Sequence, residues 1–315
     1  MNTFDLQIQS TASDGKHSPR EIVKMAQELG LQVIAITDHD TIGGVSEALM
    51  AGGEMEVRVI PGIEMSVEEH NAHILGYGVD YKNERLLEEL EKFRQGRIEG
   101  ARAMLENLKK NEGFVVEWED VLKEATGGLV ARPHLVRAIM NRPENKEKLG
   151  AASTMHDFFA KYLTDDNPNY VKRTHISAKD AIALIRGAGG IAVWSHPAIH
   201  FRGKETRGAA SISQTDYDAL ENFLKELINW GLAGVEVFNP SHTEDDMEFL
   251  QSTAVKYNLL RTAGSDFHEK GDHPADPVSG LHSARTLGDY ETYGFPTDDI
   301  VLKLDEAISK NTSTC

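Results

Sequence analysis

The sequence predicts an α/β barrel, and three observations carry that prediction. First, short β-branched apolar runs alternate with helical patterns, the signature of strands joined by crossover helices. Second, several of these runs stop in His, Asp or Glu. VIAITDHDT ends in Asp38-His39-Asp40, and Ile191-Ala-Val-Trp-Ser reaches His196-Pro197. Leu259-Leu-Arg-Thr-Ala reaches Gly264-Ser-Asp266-Phe-His268, Val57 to Ile63 reaches Glu64, and Ala72 to Gly78 carries His73. Third, the polar ends recur on the same side of the units, and in α/β barrels functional side chains sit at the C-terminal ends of strands. A doubly wound open sheet is the structural alternative.

Taken in order, Phe4 to Gln9 alternates like a strand and runs into Ser10-Thr-Ala-Ser-Asp14-Gly15. Ser18-Pro19-Arg20-Glu21 has the form of a capping box with proline at the first helical position. Ile22, Val23, Ala26 and Leu29 then make one helical face, and Gly30 is the expected C-cap. The VIAITDHD strand follows, completing a βαβ unit. Ile42 to Ala51 reads as a helix stopped by Gly52-Gly53, Val57–Ile60 as a strand, and His73-Ile-Leu-Gly-Tyr-Gly as another. From about Asn83 to Leu163 strand signals nearly vanish. Glu84–Asn111 is a charged helix with Leu86, Leu87, Leu90, Phe93, Ile98, Ala101, Leu105 and Leu108 as its apolar stripe. Helices near Trp118–Glu124, Arg132–Met140 and His156–Leu163 follow. Residues 83–164 therefore read as a helical insertion in a barrel made by 1–82 and 165–315. Alternation returns with the cap at Ser177 to Asp180, a helix to about Ala188, strands at Ile191, Val235 and near Leu259, and a last helix from Ile300 to Ile308. Gly187-Ala-Gly189-Gly190 follows a helix and precedes a strand, so it is a helix stop rather than a dinucleotide loop.

The chain has 315 residues, 40% hydrophobic, enough for a sizeable core. No apolar run approaches the roughly 20 residues of a membrane helix. The start of the chain carries no signal-like segment, and the single cysteine, Cys315, excludes an intrachain disulfide. Both suit a reducing cytoplasm. A net charge of −17 argues against sequence-blind binding of duplex DNA, but not against an anionic small substrate at a metal-bearing site.

Asp14, His39, Glu64, His73, His196, Asp266 and His268 are the candidate metal ligands. Imidazole and carboxylate together suit manganese, zinc or iron. Seven such groups exceed one tetrahedral site and point to two or three cations, which can lower the pKa of a bridging water and clamp phosphate oxygens. Taken singly, each has an ordinary structural reading: a hydrogen-bonded core histidine, or for Asp266 a turn cap. His200, His242, His273 and His282 read as surface or loop histidines.

In this order, Asp14-Gly15, Thr37-Asp38-His39-Asp40, Gly62-Ile-Glu64, His73-Ile-Leu-Gly, Ser195-His196-Pro197 and Gly264-Ser-Asp266-Phe-His268 resemble the polymerase-and-histidinol-phosphatase (PHP) family of metal-dependent phosphoesterases. Arg94 to Arg102, Ala131-Arg132-Pro133-His134 and Lys161-Tyr-Leu-Thr are similar to its nucleotide-directed subgroup, the 3′,5′-nucleoside bisphosphate phosphatases and 5′→3′ exoribonucleases. The resemblance implies a distorted (β/α)₇ barrel and a trinuclear, manganese-type site. It also implies hydrolysis of a nucleoside bisphosphate or of the 5′ end of a short RNA. One departure stands out: where the family has His-x-His, this chain has Gln7-Ile8-Gln9. An amide oxygen is a weak transition-metal ligand, so at least one metal position is expected to be weakened or empty. A non-catalytic nucleotide-binding protein and a histidinol-phosphate phosphatase are the alternative functions. Arg94 and Arg97 share a helical face, and Arg94 reads as solvated surface. For Arg97, Arg102, Arg132 and His134 the resemblance implies a phosphate pocket under a cap formed by the insertion.

Overall fold

The computed structural model describes residues 2–125, 130, 132–150, 152, 154–164, 166–171, 176–201, 213–270 and 286–312. Ala131, His273, His282 and Cys315 lie outside the described residues. The barrel half opens with β1 (Phe4–Asp5), α1 (Pro19–Leu29), β2 (Val33–Ile36), α2 (Val45–Met55), β3 (Arg58–Ser66) and β4 (His73–Tyr77). A helical stretch follows: α3 (Glu84–Glu112), α4 (Trp118–Glu124), α5 (Arg132–Met140), α6 (Lys146–Leu149) and α7 (Met155–Tyr162). The barrel resumes with α8 (Ala178–Gly187), β5 (Ile191–Trp194), α9 (Pro197–Phe201), α10 (Gln214–Asn229), β6 (Gly234–Phe238), α11 (Glu244–Lys256), β7 (Leu260–Ala263) and α12 (Ile300–Thr312).

The strands pair in sequence order, β1 to β7. Closure comes from Leu6 N donating to Ala263 O at 3.1 Å, Gln9 N donating to Phe267 O at 2.9 Å, and a bridge between Ile8 and Phe267. The barrel is thus nearly closed. Its distortion lies at β4, which runs antiparallel to both β3 and β5 while every other pair is parallel. This reversal matters for the site. His73 opens β4 rather than ending it, so inverting the strand carries it to the same mouth as the C-terminal ends of its neighbours.

Local chemistry explains the elements. Ser18 and Glu21 form a reciprocal capping box on α1, Pro19 starts it, and Gly30 ends it at φ 76°. The expected strand Phe4–Gln9 is shorter: only Phe4–Asp5 pairs with β2, because Leu6 and Gln9 turn their amides to β7 and the loop after it. The expected stop at Gly52-Gly53 is a correction: α2 continues to Met55 and ends at left-handed Glu56. Gly52 is instead a packing residue, since a Cβ there would meet Val57 O at 2.5 Å. Leu87 leaves the expected stripe of α3 and is 44% exposed, whereas Gly100 and Met104 join it. α3 touches two cores. Leu86 and Leu90 pack in the barrel core, while Ala101, Met104, Leu105 and Leu108 join Phe114, Val121, Leu135, Ile139 and Phe158 in a separate apolar cluster. Among the described residues no helix is long and apolar enough to cross a membrane.

Candidate metal centre

The strand ends gather at one mouth. Rings of His39 and His73 lie 5.0 Å apart, His73 and His196 5.2 Å, and His39 and His268 6.0 Å. Two triads offer donor atoms within 4.8 Å of one another: Asp14, His39 and His268, and His39, Glu64 and His73. Three of the loop residues that shape this mouth, Asp40, His196 and Asp266, have φ of 51°, 27° and 53°. Such left-handed conformations cost free energy and concentrate where geometry serves function. Gly264 lets the Asp266 loop leave β7 against the first strand, since a Cβ there would meet Gln7 Cβ at 2.4 Å.

Carboxylates flanking the ligands hold the loops. Asp38 accepts from Ser10 N (2.7 Å), Ser10 Oγ (2.8 Å) and Ser13 Oγ (2.7 Å), which orders the loop that carries Asp14. Asp5 accepts from Gln7 N (3.2 Å), Ser265 N (2.9 Å) and Gly288 N (2.8 Å), tying the first strand to the last loops. Burial pushes its carboxyl up to about 6. Asp40 accepts from Ser66 N at 2.8 Å and pairs with Arg97, a buried ion pair joining α3 to the mouth.

Glu64 is the node. It has no exposed surface. Its Oε1 faces His73 Nδ1 (3.0 Å), His196 Nε2 (3.1 Å), Ser195 Oγ (2.9 Å) and Gln7 Nε2 (3.1 Å), and its Oε2 accepts from Gln9 Nε2 (2.6 Å). Burial pushes this carboxyl up, but His39, His196 and His73 outweigh it and hold it well below the carboxylate range. Burial likewise opposes charge on His268, yet Asp266 and Asp14 raise its imidazole to about 9. The cluster thus draws positive charge into its acidic side. Asp14 Oδ1, His39 Nδ1 and Asp266 Oδ1 are buried without a hydrogen-bond partner among the described residues. Unpartnered buried donors and acceptors are costly; Asp14 and His39 share a donor triad that a cation would satisfy, so the donor set fits a divalent metal.

Two groups beside the mouth, His200 half-buried and Glu236 fully buried, escaped the sequence reading. His200, expected at the surface, has its Nε2 3.1 Å from His196 Nδ1. Burial, with His196 and His73, keeps its pKa well below the ordinary value. His200 lies on α9, whose first residue follows His196 directly. Glu236, fully buried, accepts from His196 N (2.9 Å) and Asn239 Nδ2 (3.0 Å), and burial raises its carboxyl well above the usual range. A carboxylate inside the run Val235-Glu-Val-Phe was its signal. His242 is also buried, its Nδ1 2.8 Å from Val237 O, not at the surface.

Of the expected phosphate-binding groups, Arg97 reaches the mouth, meeting Asp40 and, through Nη2, Ser66 Oγ at 3.4 Å. Arg102 is exposed and stacks over Trp118 at 4.2 Å. Arg132 stands 5.7 Å from the Phe159 ring and 5.8 Å from Tyr170. Arg94 pairs with Glu91 on the surface, as expected. His134 is 3% exposed, and burial with Arg137 lowers its pKa to about 4, partly offset by Asp14. Its ordinary value is 6.5, so between about 6.5 and 4 the unfolded chain takes up a proton that the folded chain refuses. Stability therefore falls as pH drops through that window. Thermal melts of His134→Gln are expected to show a shallower fall than wild type between those pH values. Asp5 contributes the opposite slope in both proteins and cancels in the comparison.

A nearly closed seven-stranded barrel with imidazoles and carboxylates at its mouth is the architecture of a phosphoesterase of the PHP type. A family model described as PHP domain matches residues 5–192, and the chain belongs to the PHP family. A 3′,5′-nucleoside bisphosphate phosphatase from Chromobacterium violaceum is 31% identical over 279 residues, covering 88% of this chain and 90% of that protein. A 5′-3′ exoribonuclease from Haemophilus influenzae is 31% identical across 84% of this chain and 89% of its own length. Among solved structures, a Bifidobacterium adolescentis protein described as a metal-dependent phosphoesterase superposes with a TM-score of 0.71 at 28% identity, over 96% of both chains. An amidohydrolase from Chromobacterium violaceum, with bound sulfate and no metal, gives 0.73 at 29% identity over 97% of both.

Proposed function

We propose that this chain is a metal-dependent phosphoesterase of small nucleotides, with nucleoside 3′,5′-bisphosphates as its first substrate class and the 5′ end of short RNA as its second. The donor triads around His39, with Asp14 Oδ1, His39 Nδ1 and Asp266 Oδ1 buried without a hydrogen-bond partner among the described residues, carry this reading. The family membership and the bisphosphate phosphatase relative support it. Asp14, His39, Glu64, His73, His196, Asp266 and His268 are the proposed donor set for divalent cations of manganese type. Such a cation, when bound, polarises phosphoryl oxygens and makes water a nucleophile at neutral pH.

The chain's own groups do the rest. Arg97 uses Nη2 on Asp40 and Ser66, and its planar fork carries further N–H donors for a phosphate. His134 stays neutral at physiological pH and offers an N–H without adding charge. Water adds to phosphorus, the ester P–O bond breaks, and the leaving ribose oxygen takes up a proton. Residues 83–164 serve as the cap over the mouth, and Arg132 holds the substrate's second phosphate. The aromatic rings beside Arg132 orient its guanidinium without neutralising it.

Manganese-dependent phosphate release from adenosine 3′,5′-bisphosphate, against a chelator control and a 5′-phosphorylated short RNA, tests the proposal. Absence of release from both would sink it, as would a preference for histidinol phosphate. Arg132→Ala is expected to raise KM for the bisphosphate about 10–100-fold, the worth of a charge-assisted contact, with a smaller effect on a monophosphate. Equal effects would remove Arg132 from second-phosphate recognition. The amides of Gln7 and Gln9 on Glu64 favour a second reading, a nucleotide-binding chain without turnover. Bisphosphate binding with no manganese-dependent release would select it.

A further inference from the structure

The turn between β3 and β4 stands at the mouth, and one ring on it lies outside the proposed donor set. β3 ends at Ser66 and β4 begins at His73, so the residues between them rise from the rim of the barrel. Two of them, His70 and Asn71, have φ of 56° and 52°. Glycine takes such a conformation freely, whereas other residues hold it at a cost, and they cluster where a ligand is clamped. The turn is secured from several sides. Val67 N donates to Ala72 O at 2.9 Å, Glu68 N donates to Ile176 O at 3.0 Å, and the Glu69 carboxylate accepts from Ala178 N at 2.7 Å.

The turn displays an imidazole on an aromatic base. His70 is exposed, yet its ring lies 4.7 Å from Phe201 and 4.7 Å from Phe223, both buried. Trp194 backs them, 5.8 Å from Phe201 and 5.2 Å from Phe223. Among the described residues the His70 ring meets no hydrogen-bond or ion-pair partner. Packing from beneath braces the ring and leaves its outer side to solvent. Phe201 follows His200, whose ring is 5.7 Å from that of His73, so this shelf adjoins the proposed donor set. A flat ring, braced and exposed beside a phosphate-cleaving mouth, fits another flat ring, and in a nucleotide that ring is the base.

We infer that His70 is the stacking platform for the nucleobase of the substrate, with Phe201 and Phe223 bracing it. This role rests on the proposed nucleotide reading and assigns the part of the substrate that the phosphate-binding groups do not address. Stacking uses the π-face that all bases share, so the platform tells a nucleotide from a sugar phosphate while tolerating purine and pyrimidine alike. The contact is remote from the breaking P–O bond and the same before and during the reaction, so its loss raises KM and spares kcat.

The test compares adenosine 5′-monophosphate with ribose 5-phosphate, the same phosphate ester without the base. Binding to the full chain with Mn²⁺ present is measured by calorimetry, beside phosphate-release kinetics. Wild type is expected to bind the nucleotide about 5–100-fold more tightly than the sugar phosphate. His70→Ala is expected to lose most of that preference, with kcat and ribose 5-phosphate affinity within about twofold of wild type. His70→Phe, which keeps a stacking face without an N–H, is expected to stay within about threefold of wild type. His70→Asn, which donates a hydrogen bond but cannot stack, is expected to behave like alanine; thermal melts confirm that each variant folds. Equal wild-type affinity for the two compounds would overturn the inference, as would an unchanged preference in folded His70→Ala and His70→Asn. Rescue by asparagine and not by phenylalanine would overturn it too, making the ring a hydrogen-bond donor. The expected pattern without any phosphate release would support the base platform and overturn turnover alone. Binding of neither compound would overturn the nucleotide reading together with the inference.

Discussion

His39→Ala is expected to abolish manganese-dependent phosphate release while leaving the fold intact. His39 is the imidazole common to both donor triads, so a cation held by either triad uses it. Changing groups that merely support a metal ligand costs about 10–100-fold in metal affinity or activity, and loss of a shared ligand is expected to exceed about 100-fold in kcat/KM. The structural cost is bounded for a definite reason. His39 Nδ1 has no hydrogen-bond partner among the described residues and stands 3.7 Å from Glu64 Oε2, beyond bonding distance. Deleting the ring strands no hydrogen-bond partner but removes a charge that helps hold Glu64 ionised, so a loss of about 1–3 kcal/mol is expected. Steady-state rates and thermal melts on the same preparation check both halves. Retained turnover would remove His39 from the site, and a collapsed melt would make it a structural residue.

Glu64→Ala has the opposite balance, with the largest expected loss of stability. Two amides, a hydroxyl and two imidazoles converge on its carboxylate in a volume without solvent. Removing one partner of a buried charged cluster costs about 3–5 kcal/mol, because the others keep their desolvation penalty. The urea midpoint is expected to fall by that amount divided by the m-value. Glu64→Gln keeps the volume but offers one carbonyl oxygen to five donors, and is expected to fall between wild type and Glu64→Ala. An alanine variant within about 1 kcal/mol of wild type would mean that relaxation or water replaces the carboxylate.

How far the sequence carried can be read from particular residues. Ser18, Pro19 and Gly30 delimited α1 because caps and left-handed glycine are local chemistry. Trp118–Glu124 and Arg132–Met140 were legible for the same reason: apolar periodicity survives without tertiary help. The seven ligand candidates were legible as polar ends of apolar runs, and all of them converge at one mouth. What stayed hidden depended on tertiary approach. Gly52 looked like a stop until the backbone of Val57 came against it. Leu6 to Gln9 alternated like a strand, but which neighbour takes their amides is settled only by closure of the barrel. The division of labour within Asp38-His39-Asp40 was equally invisible. Only contacts distant in sequence make Asp38 the anchor of the Asp14 loop and Asp40 the partner of Arg97.

The reversed β4 has a consequence for the order in which this site comes into being. Because β3 and β4 are antiparallel and adjacent in the chain, Glu64 and His73 meet across only nine residues. Hairpins of this kind close in about 1–10 μs. The contact that brings the Asp266 loop to the first strand, Ser265 N to Asp5, spans 260 residues and waits on nearly the whole chain. The central pair is therefore expected to gain amide-exchange protection first during refolding, and the Asp14–His268 side last. The nucleus that starts the barrel already contains the carboxylate on which the finished mouth is centred.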